Sequence, residues 1–304
     1  MDHQRYIEQN IVRDLARNKM VFVGGSRQVG KTTLAQRIGA RYYRHPQYLL
    51  FDDRQDRKVI IAQRFNKNAD LIIFDELHKY HHWKNYLKAL YDKRKNDFHI
   101  LVTGSARLDV YRHGGDSLMG RYYYYRLHPF SSAEGLHLPG TFMVGNELDL
   151  PDPTSNSQEV ISRLMGGGGF PEPFFDSTEP VIKRFQANRV DRLVREDIRD
   201  LETIQDLSAM HILVSLLPSK VGSPLSLNSL REDLEVSHRA ISRWMEILER
   251  FYYHFRIRPY TEKVIRSLRK EPKMYLWDWS EIENESIRFE NLIASHLLKF
   301  CHWL

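Results

Sequence analysis

The chain has 304 residues, 42% hydrophobic and 28% charged, which are globular proportions that exclude long disordered and fibrous classes. At ~150 residues per domain, about two domains are expected. Lys and Arg number 45 against 39 Asp and Glu, a net charge of +6, and residues 236–270 alone hold nine basic and three acidic side chains, an excess equal to that net charge. A single cysteine, Cys301, excludes an internal disulfide and suits a reducing, cytoplasmic compartment. The first residues lack the apolar stretch of a signal peptide, and no apolar run approaches the ~20 residues that span a bilayer, so no membrane partner is expected.

Residues 20 to 128 alternate between short apolar runs and helical patterns. Met20-Val21-Phe22-Val23 ends at Gly24-Gly25, and a helix is expected from Lys31 to Arg41. Tyr48 to Phe51 ends at Asp52-Asp53, and Leu71 to Phe74 ends at Asp75-Glu76. Trp83 to Arg94 spaces Leu87, Leu90 and Tyr91 along one helical face. Ile100 to Thr103 ends at Gly104-Ser105, and Tyr122 to Leu127 is a fifth strand. Continuously apolar strands separated by helices imply an α/β fold, a parallel sheet covered on both faces, with polar strand ends at the edge where such sheets bind ligands. After Pro129 the pattern becomes helical, broken by a loop at 138–157 and by Gly166 to Pro173, with helices over Val181–Ile204 and Met210–Leu217. The expected organisation is a core over 1–135, a helical lid segment over 136–222, a small basic unit over 223–280 and a last piece over 281–304.

Gly25-Ser26-Arg27-Gln28-Val29-Gly30-Lys31-Thr32 fits G-x-x-x-x-G-K-[ST], between a strand and a helix. Glycines let the loop curl so that backbone N–H groups face phosphate oxygens, and the helix start adds its positive dipole end. Lys31 supplies a point charge for the β and γ phosphates, and the Thr32 hydroxyl suits a magnesium shell; Thr33 follows in the same helical turn. Four apolar residues followed by Asp75 and Glu76 reinforce this, because buried carboxylates need a cation or a catalytic reason. Asp75 would hold magnesium, and Glu76 would orient or deprotonate the attacking water. At the next strand end, Thr103 or Ser105 can sense the γ-phosphate or place water, and Thr103 is preferred. Arg107, Arg112 and Arg121 are arginine-finger candidates, in cis or from a neighbouring copy, and Arg121 is preferred. His78, His81 and His82 have metal-like spacing but lack further ligands, and a polar helix surface is the expected reading.

These features resemble the AAA+-related P-loop ATPases of bacteria and archaea in which the ATPase core precedes a winged helix and a restriction-endonuclease-like domain. The stretches that carry the resemblance are residues 25–33, Ile72 to Lys79, Val102 to Arg107, Gly120-Arg121, Leu127 to Ser131, Gly168 to Pro173, Arg195 to Ile198 and Phe289 to Leu292. The resemblance implies an ASCE-type P-loop NTPase sheet with the catalytic strand beside the P-loop strand, and ATP with Mg2+ as ligands; no guanine-specifying motif is apparent. In similar proteins the nuclease-like fold continues well past Phe289-Glu290-Asn291, whereas this chain ends at Leu304. Glu290 then lacks catalytic partners, the chain is expected to be truncated within that domain, and no nuclease chemistry is assigned to it.

Leu225 to Pro259 reads as a helix-turn-helix followed by a strand. The first helix runs from Leu227 to Leu234 with Asn228 or Ser229 at its cap, and the second from His238 to Phe251, capped by Ser237. Ile241, Trp244, Met245, Leu248 and Phe251 form a core-facing stripe, which leaves His238, Arg239, Ser242, Arg243 and Glu246 outward. Residues 255–259 and 273–276 are the expected strands of a wing. Arg239 and Arg243 on the helix, and Arg266 and Arg269 in the loop, are the candidate nucleic-acid contacts; packing of the same unit on protein is the competing reading. Two function classes result. One is an ATPase whose nucleotide state moves the winged helix, with self-association an option. The other is a nucleotide-gated module that binds DNA or a protein partner with little turnover.

Overall fold

The computed structural model describes residues 3–104, 118–138, 155–198, 206–260 and 270–303. The chain divides into two compact units, Met1–His128 and Pro129–Leu304.

Five parallel strands form the sheet of the first unit: β1 (Met20–Gly25), β2 (Pro46–Leu50), β3 (Leu71–Asp75), β4 (His99–Thr103) and β5 (Tyr122–Leu127), in the order β2-β3-β4-β1-β5. Every residue of β1 and β3 is buried, as a strand covered on both faces requires. Each of Leu71, Ile72 and Phe74 is fully buried, and such a side chain contributes ~1.5–3 kcal/mol of apolar burial. The strand that carries Asp75 does not adjoin the P-loop strand, contrary to the expectation from the resemblance. β4 lies between them and pairs with both, Thr103 standing opposite Val23 on one side and Asp75 on the other. The chain crosses from β1 to the far edge at β2 and works back, so the carboxyl end of β1 is where the strand order reverses.

Among the described residues this unit also carries helices α1 (Glu8–Ala16), α2 (Lys31–Tyr42), α3 (Arg54–Ala62) and α4 (Trp83–Arg94). α2 and α4 occupy the segments their periodicity predicts. α1 and α3 lie in segments where the sequence reading placed no element. The signal for α1 is the i, i+4, i+8 row of Ile7, Ile11 and Leu15, all buried. For α3 it is Asp53, whose carboxylate accepts the N–H groups of Gln55 and Asp56 at 2.8 and 2.9 Å.

The second unit is mainly helical, with helices Ser157–Gly167, Glu179–Arg192, Leu207–Leu216, Leu227–Asp233, His238–Arg250 and Glu285–Trp303, and one antiparallel pair, β6 (His254–Ile257) with β7 (Lys273–Leu276). Ile241, Trp244, Met245, Leu248 and Phe251 are all buried, and Ser237 caps their helix by accepting the Ala240 N–H at 3.2 Å. The cap of the preceding helix is Ser226, not Asn228 or Ser229. A cap must stand before the first helical turn in extended backbone, and Ser226 does so, accepting the Ser229 N–H at 3.4 Å. Glu235 takes the left-handed conformation (φ 54) in the connecting turn, and the Val236 N–H returns to the Arg231 carbonyl at 3.0 Å. Glu290 binds Lys273 and Tyr275 at 3.1 and 2.8 Å.

A buried ion cluster holds this unit together. Arg189 donates to Glu281 at 2.8 Å and to the Tyr252 carbonyl at 3.2 Å, and its guanidinium lies 4.7 Å from the Phe170 ring centre. Tyr253 donates its hydroxyl proton to the other Glu281 oxygen at 2.7 Å. Burial pushes Glu281 up to about 7, Arg189 opposes that rise and Asp278 adds to it. Arg189→Ala should therefore cost about 3–5 kcal/mol, the range for breaking a buried ion pair. The folded protein holds the Glu281 proton more tightly than the unfolded chain. The associated stability is present below the ordinary value of 4.5 and is lost as pH climbs through about 7. The cost of the substitution should accordingly be smaller on the acid side of that window than on the alkaline side. Urea unfolding at both ends checks this, and an equal cost at both would locate the role of Arg189 in its stacking on Phe170.

Candidate functional site

Loop 25–32 leaves β1 at the strand-order reversal and enters α2. Gly25 has φ +144, and a Cβ there would stand 2.5 Å from the Leu127 carbonyl oxygen. Gln28 (φ 63) and Gly30 (φ 97) are left-handed, a local conformation that turns successive N–H groups towards an anion. Ser26 and Val29 are buried, while Arg27 and Thr33 are exposed. The Lys31 side chain folds into the loop, where its ammonium donates to the Gly25 and Ser26 carbonyls at 3.1 and 2.7 Å. Arg5, a buried residue before α1, donates to the Val29 carbonyl at 2.9 Å and to that of His128, and so braces the loop. A lone arginine ahead of an unrecognised helix offered no sequence signal for that contact.

Asp75 is the centre of the site. One carboxylate oxygen accepts the Thr32 hydroxyl at 2.6 Å and the Tyr48 hydroxyl at 2.7 Å; the other accepts the Thr103 hydroxyl at 2.6 Å. Three hydroxyls from α2, β2 and β4 thus replace the water that this 4% exposed carboxylate has lost. Thr32 donates its proton to Asp75, which leaves its oxygen lone pairs available to a metal ion. Thr103 is fully buried and its hydroxyl donates to Asp75, so it orients the carboxylate. Tyr48 was missed, because a tyrosine in a strand reads as β-propensity; the signal was its place on the strand that pairs with the Asp75 strand. Burial, then the bond to Asp75, pushes the Tyr48 hydroxyl well above its usual range.

Glu76 turns out of β3 in the left-handed conformation (φ 56, ψ 22), with its N–H on the Thr103 carbonyl at 3.1 Å. That geometry costs a non-glycine residue ~1–2 kcal/mol and aims the side chain away from the strand line. Lys79 and His78 lie 3.5 and 3.6 Å from its carboxylate, and Lys79 also pairs with Asp52. Burial raises Glu76 above the ordinary carboxylate range, and Lys31 and Lys79 oppose the rise.

Arg121 is elsewhere. It binds Asp92 through two bonds of 2.8 and 3.1 Å, and its carbonyl accepts the N–H of Met20, the first residue of β1. The loop follows the last residue of β1, so a strand's length separates Arg121 from the phosphate cradle of its own chain. Ser105, Arg107 and Arg112 lie outside the described residues, as do Arg266 and Arg269. Arg239 and Arg243 are exposed on the helix His238–Arg250 of the second unit. His78 is buried and not part of a polar surface, while His81 and His82 are exposed. Among the described residues, no group of three or more His, Cys, Asp or Glu side chains is arranged to hold a metal ion.

The sheet, the loop and the acid-tipped strand define the first unit as a P-loop NTPase fold. Residues 17–136 match the family described as AAA domain, and residues 158–280 match a domain of unknown function (DUF8612). An uncharacterized protein of Methanocaldococcus jannaschii, MJ1637, is 22% identical over 98% of this chain and 70% of its own length. An uncharacterized protein of Haemophilus influenzae is 23% identical over 83% of this chain and 64% of its own. The chain spans about two thirds of the length of these curated relatives. Among solved structures, the RuvB Holliday junction branch migration motor of Thermotoga maritima is similar at 16% identity and a TM-score of 0.36, covering 86% of this chain and 95% of that one. Among the described residues, no helix is long and apolar enough to cross a membrane.

Tyr48→Phe keeps the ring and removes one donor from Asp75. It should lower stability by about 1 kcal/mol, the scale of a part-buried hydrogen bond. Thermal melts of both proteins check this; an unchanged melting temperature in Tyr48→Phe would mean that water replaces the phenol.

Proposed function

We propose that the chain binds ATP with magnesium at loop 25–32 and hydrolyses it, with Glu76 as the base. The supporting observation is the convergence of Thr32, Asp75 and Glu76 beside a loop that already holds a buried lysine. The donors fit the metal. A threonine hydroxyl and a carboxylate are hard oxygen ligands, and Asp75 already accepts the Thr32 proton. Thr32 and Asp75 would hold magnesium, which supplies positive charge to the phosphate oxygens. The preference for ATP over GTP rests on the family resemblance.

In this reading Lys31 exchanges its two carbonyl partners for the β and γ phosphates, an exchange of neutral acceptors for anionic ones. The attacking water gives its proton to the Glu76 carboxylate as its oxygen bonds to the γ-phosphorus. The bond from that phosphorus to the bridging oxygen breaks, and ADP leaves with the electron pair. A raised pKa brings Glu76 nearer the working pH, which improves it as a proton acceptor. An arginine finger at Arg121 requires a second copy of the chain, because in its own chain Arg121 belongs to the opposite end of β1.

Lys31→Ala should abolish tight ATP binding, measured by fluorescent-nucleotide titration; parental affinity would remove the loop assignment. Glu76→Gln should retain ATP and lower kcat by ~10²–10⁴-fold. Phosphate release with and without DNA is the direct assay, and binding without turnover in the parent protein would leave a nucleotide-gated module. Glu76 accepts a proton only when ionised, and burial raises its pKa. The acid limb of the kcat profile should therefore fall above the ordinary value of 4.5, with activity rising as pH rises through it. A limb at or below that value would show that Glu76 is not the titrating base.

A further inference from the structure

Both ends of loop 25–32 are set against the end of β5. At the start of the loop, a Cβ on Gly25 would stand 2.5 Å from the carbonyl oxygen of Leu127, the last residue of β5, so backbone lies directly on backbone. Towards its other end the contact runs through Arg5. This residue is 5% exposed, and its guanidinium donates through one nitrogen to the Val29 carbonyl at 2.9 Å and through the other to the carbonyl of His128. Arg5 is itself held in place. Its carbonyl accepts the Glu8 N–H at 3.0 Å, and the neighbouring Tyr6 hydroxyl donates to the Arg126 carbonyl at 2.6 Å. Buried Ile7, Ile11 and Leu15 anchor the helix that follows. The guanidinium is therefore a fixed spacer between β5 and the loop.

The bond to Val29 sets the direction of the next amide. The Val29–Gly30 peptide is trans, and in a planar trans peptide the carbonyl of one residue and the N–H of the next point in opposite directions. With the Val29 oxygen drawn to Arg5, the Gly30 N–H is turned away from Arg5. Gly30 stands at φ 97 and ψ 24, immediately before α2. Glycine is conformationally permissive, so a peptide plane beside it can rotate at little cost. Such a rotation would place an oxygen where an anion needs a donor. Here it would also break a buried hydrogen bond of Arg5, which opposes it.

We propose that Arg5 is a positioning residue for phosphate binding, holding the Gly30 N–H towards the nucleotide while touching only protein carbonyls itself. The proposal rests on the reading of loop 25–32 as an ATP site. It requires a guanidinium and not merely a positive charge. Two carbonyls from separate segments are met by two nitrogens of one rigid fork, whereas lysine carries its charge on a single nitrogen. That nitrogen would meet both carbonyls only if one of them moved. An arginine that acted through its charge alone would tolerate lysine.

The test is titration of the full chain with a fluorescent ATP, and with inorganic tripolyphosphate as competitor, below the melting temperature of every variant. It is read as affinity and as equivalents bound. Arg5→Lys and Arg5→Met should weaken both ligands alike by roughly tenfold, the scale of one charge-assisted hydrogen bond, with the number of equivalents unchanged. Tripolyphosphate has no base or sugar, so an equal loss locates the effect at the phosphates. A merely structural Arg5 gives the converse, fewer equivalents bound at parental affinity, and that result overturns the proposal. Parental affinity in Arg5→Lys also overturns it, because charge alone would then suffice. Should neither variant fold, isotope-labelled glycine in the parent chain decides by NMR. The Gly30 amide resonance moves on addition of tripolyphosphate if its N–H meets phosphate, and an unmoved resonance overturns the proposal. Absence of ATP binding by the parent chain overturns the nucleotide reading and this proposal with it, whereas parental binding by the Arg5 variants overturns this proposal alone. Arg163→Ala, paired with Glu159 in the second unit, is the control and should change nothing.

Discussion

A carboxylate at the end of a fully buried strand needs hydrogen-bond donors to replace its lost hydration. Asp75 sets that requirement for the first unit. Its three donors come from three different elements: Thr32 from the first turn of α2, Tyr48 from β2 and Thr103 from the end of β4. Each arrives only if the sheet has its observed order and register, with β4 between β1 and β3 and Leu50 beside Asp75. A one-residue slip of either neighbour would point its hydroxyl to the wrong face and leave an uncompensated charge. The demands of the site and of the fold are therefore the same. The elements that meet at loop 25–32 are those that supply the hydrogen-bond donors of the buried Asp75 carboxylate.

The next residue is governed differently. Glu76 follows Asp75 directly, yet a left-handed backbone and the nearby ammonium groups of Lys31 and Lys79 set it apart from the hydroxyl cluster. One acid is held by three neutral hydroxyl donors. The other is partly desolvated, which raises its proton affinity, and flanked by cations, which oppose that rise. Adjacent carboxylates thus acquire different surroundings, which is how two neighbouring acids come to differ in proton affinity.

In the second unit, charge is used in two ways. Arg189 and Glu281 are fully committed to each other and to aromatic rings, and they anchor the helix Glu179–Arg192 to the turn after β7. The arginines on the outer face of the helix His238–Arg250 are exposed on a stripe whose opposite side is core. The apolar half of that helix builds the core, and the polar half is exposed.

The phosphate loop, the acid pair and the strands were legible in the sequence because each is a local pattern. Glycine spacing, an apolar run of four and a helical stripe all report on neighbours along the chain. The second helix of the basic unit and its Ser237 cap were legible for the same reason. Several features were not: the interposed β4, the Tyr48 and Thr103 bonds to Asp75, the Arg5 brace, the Arg189 cluster and the distance of Arg121 from the loop. They depend on which strands become neighbours and which side chains share a buried space. Sequence by itself determined what chemistry is carried at the strand ends, because a motif encodes residue types and spacing. Only the tertiary structure decided which donors surround each charge, because hydrogen bonding and desolvation are set by atoms brought together from distant parts of the chain.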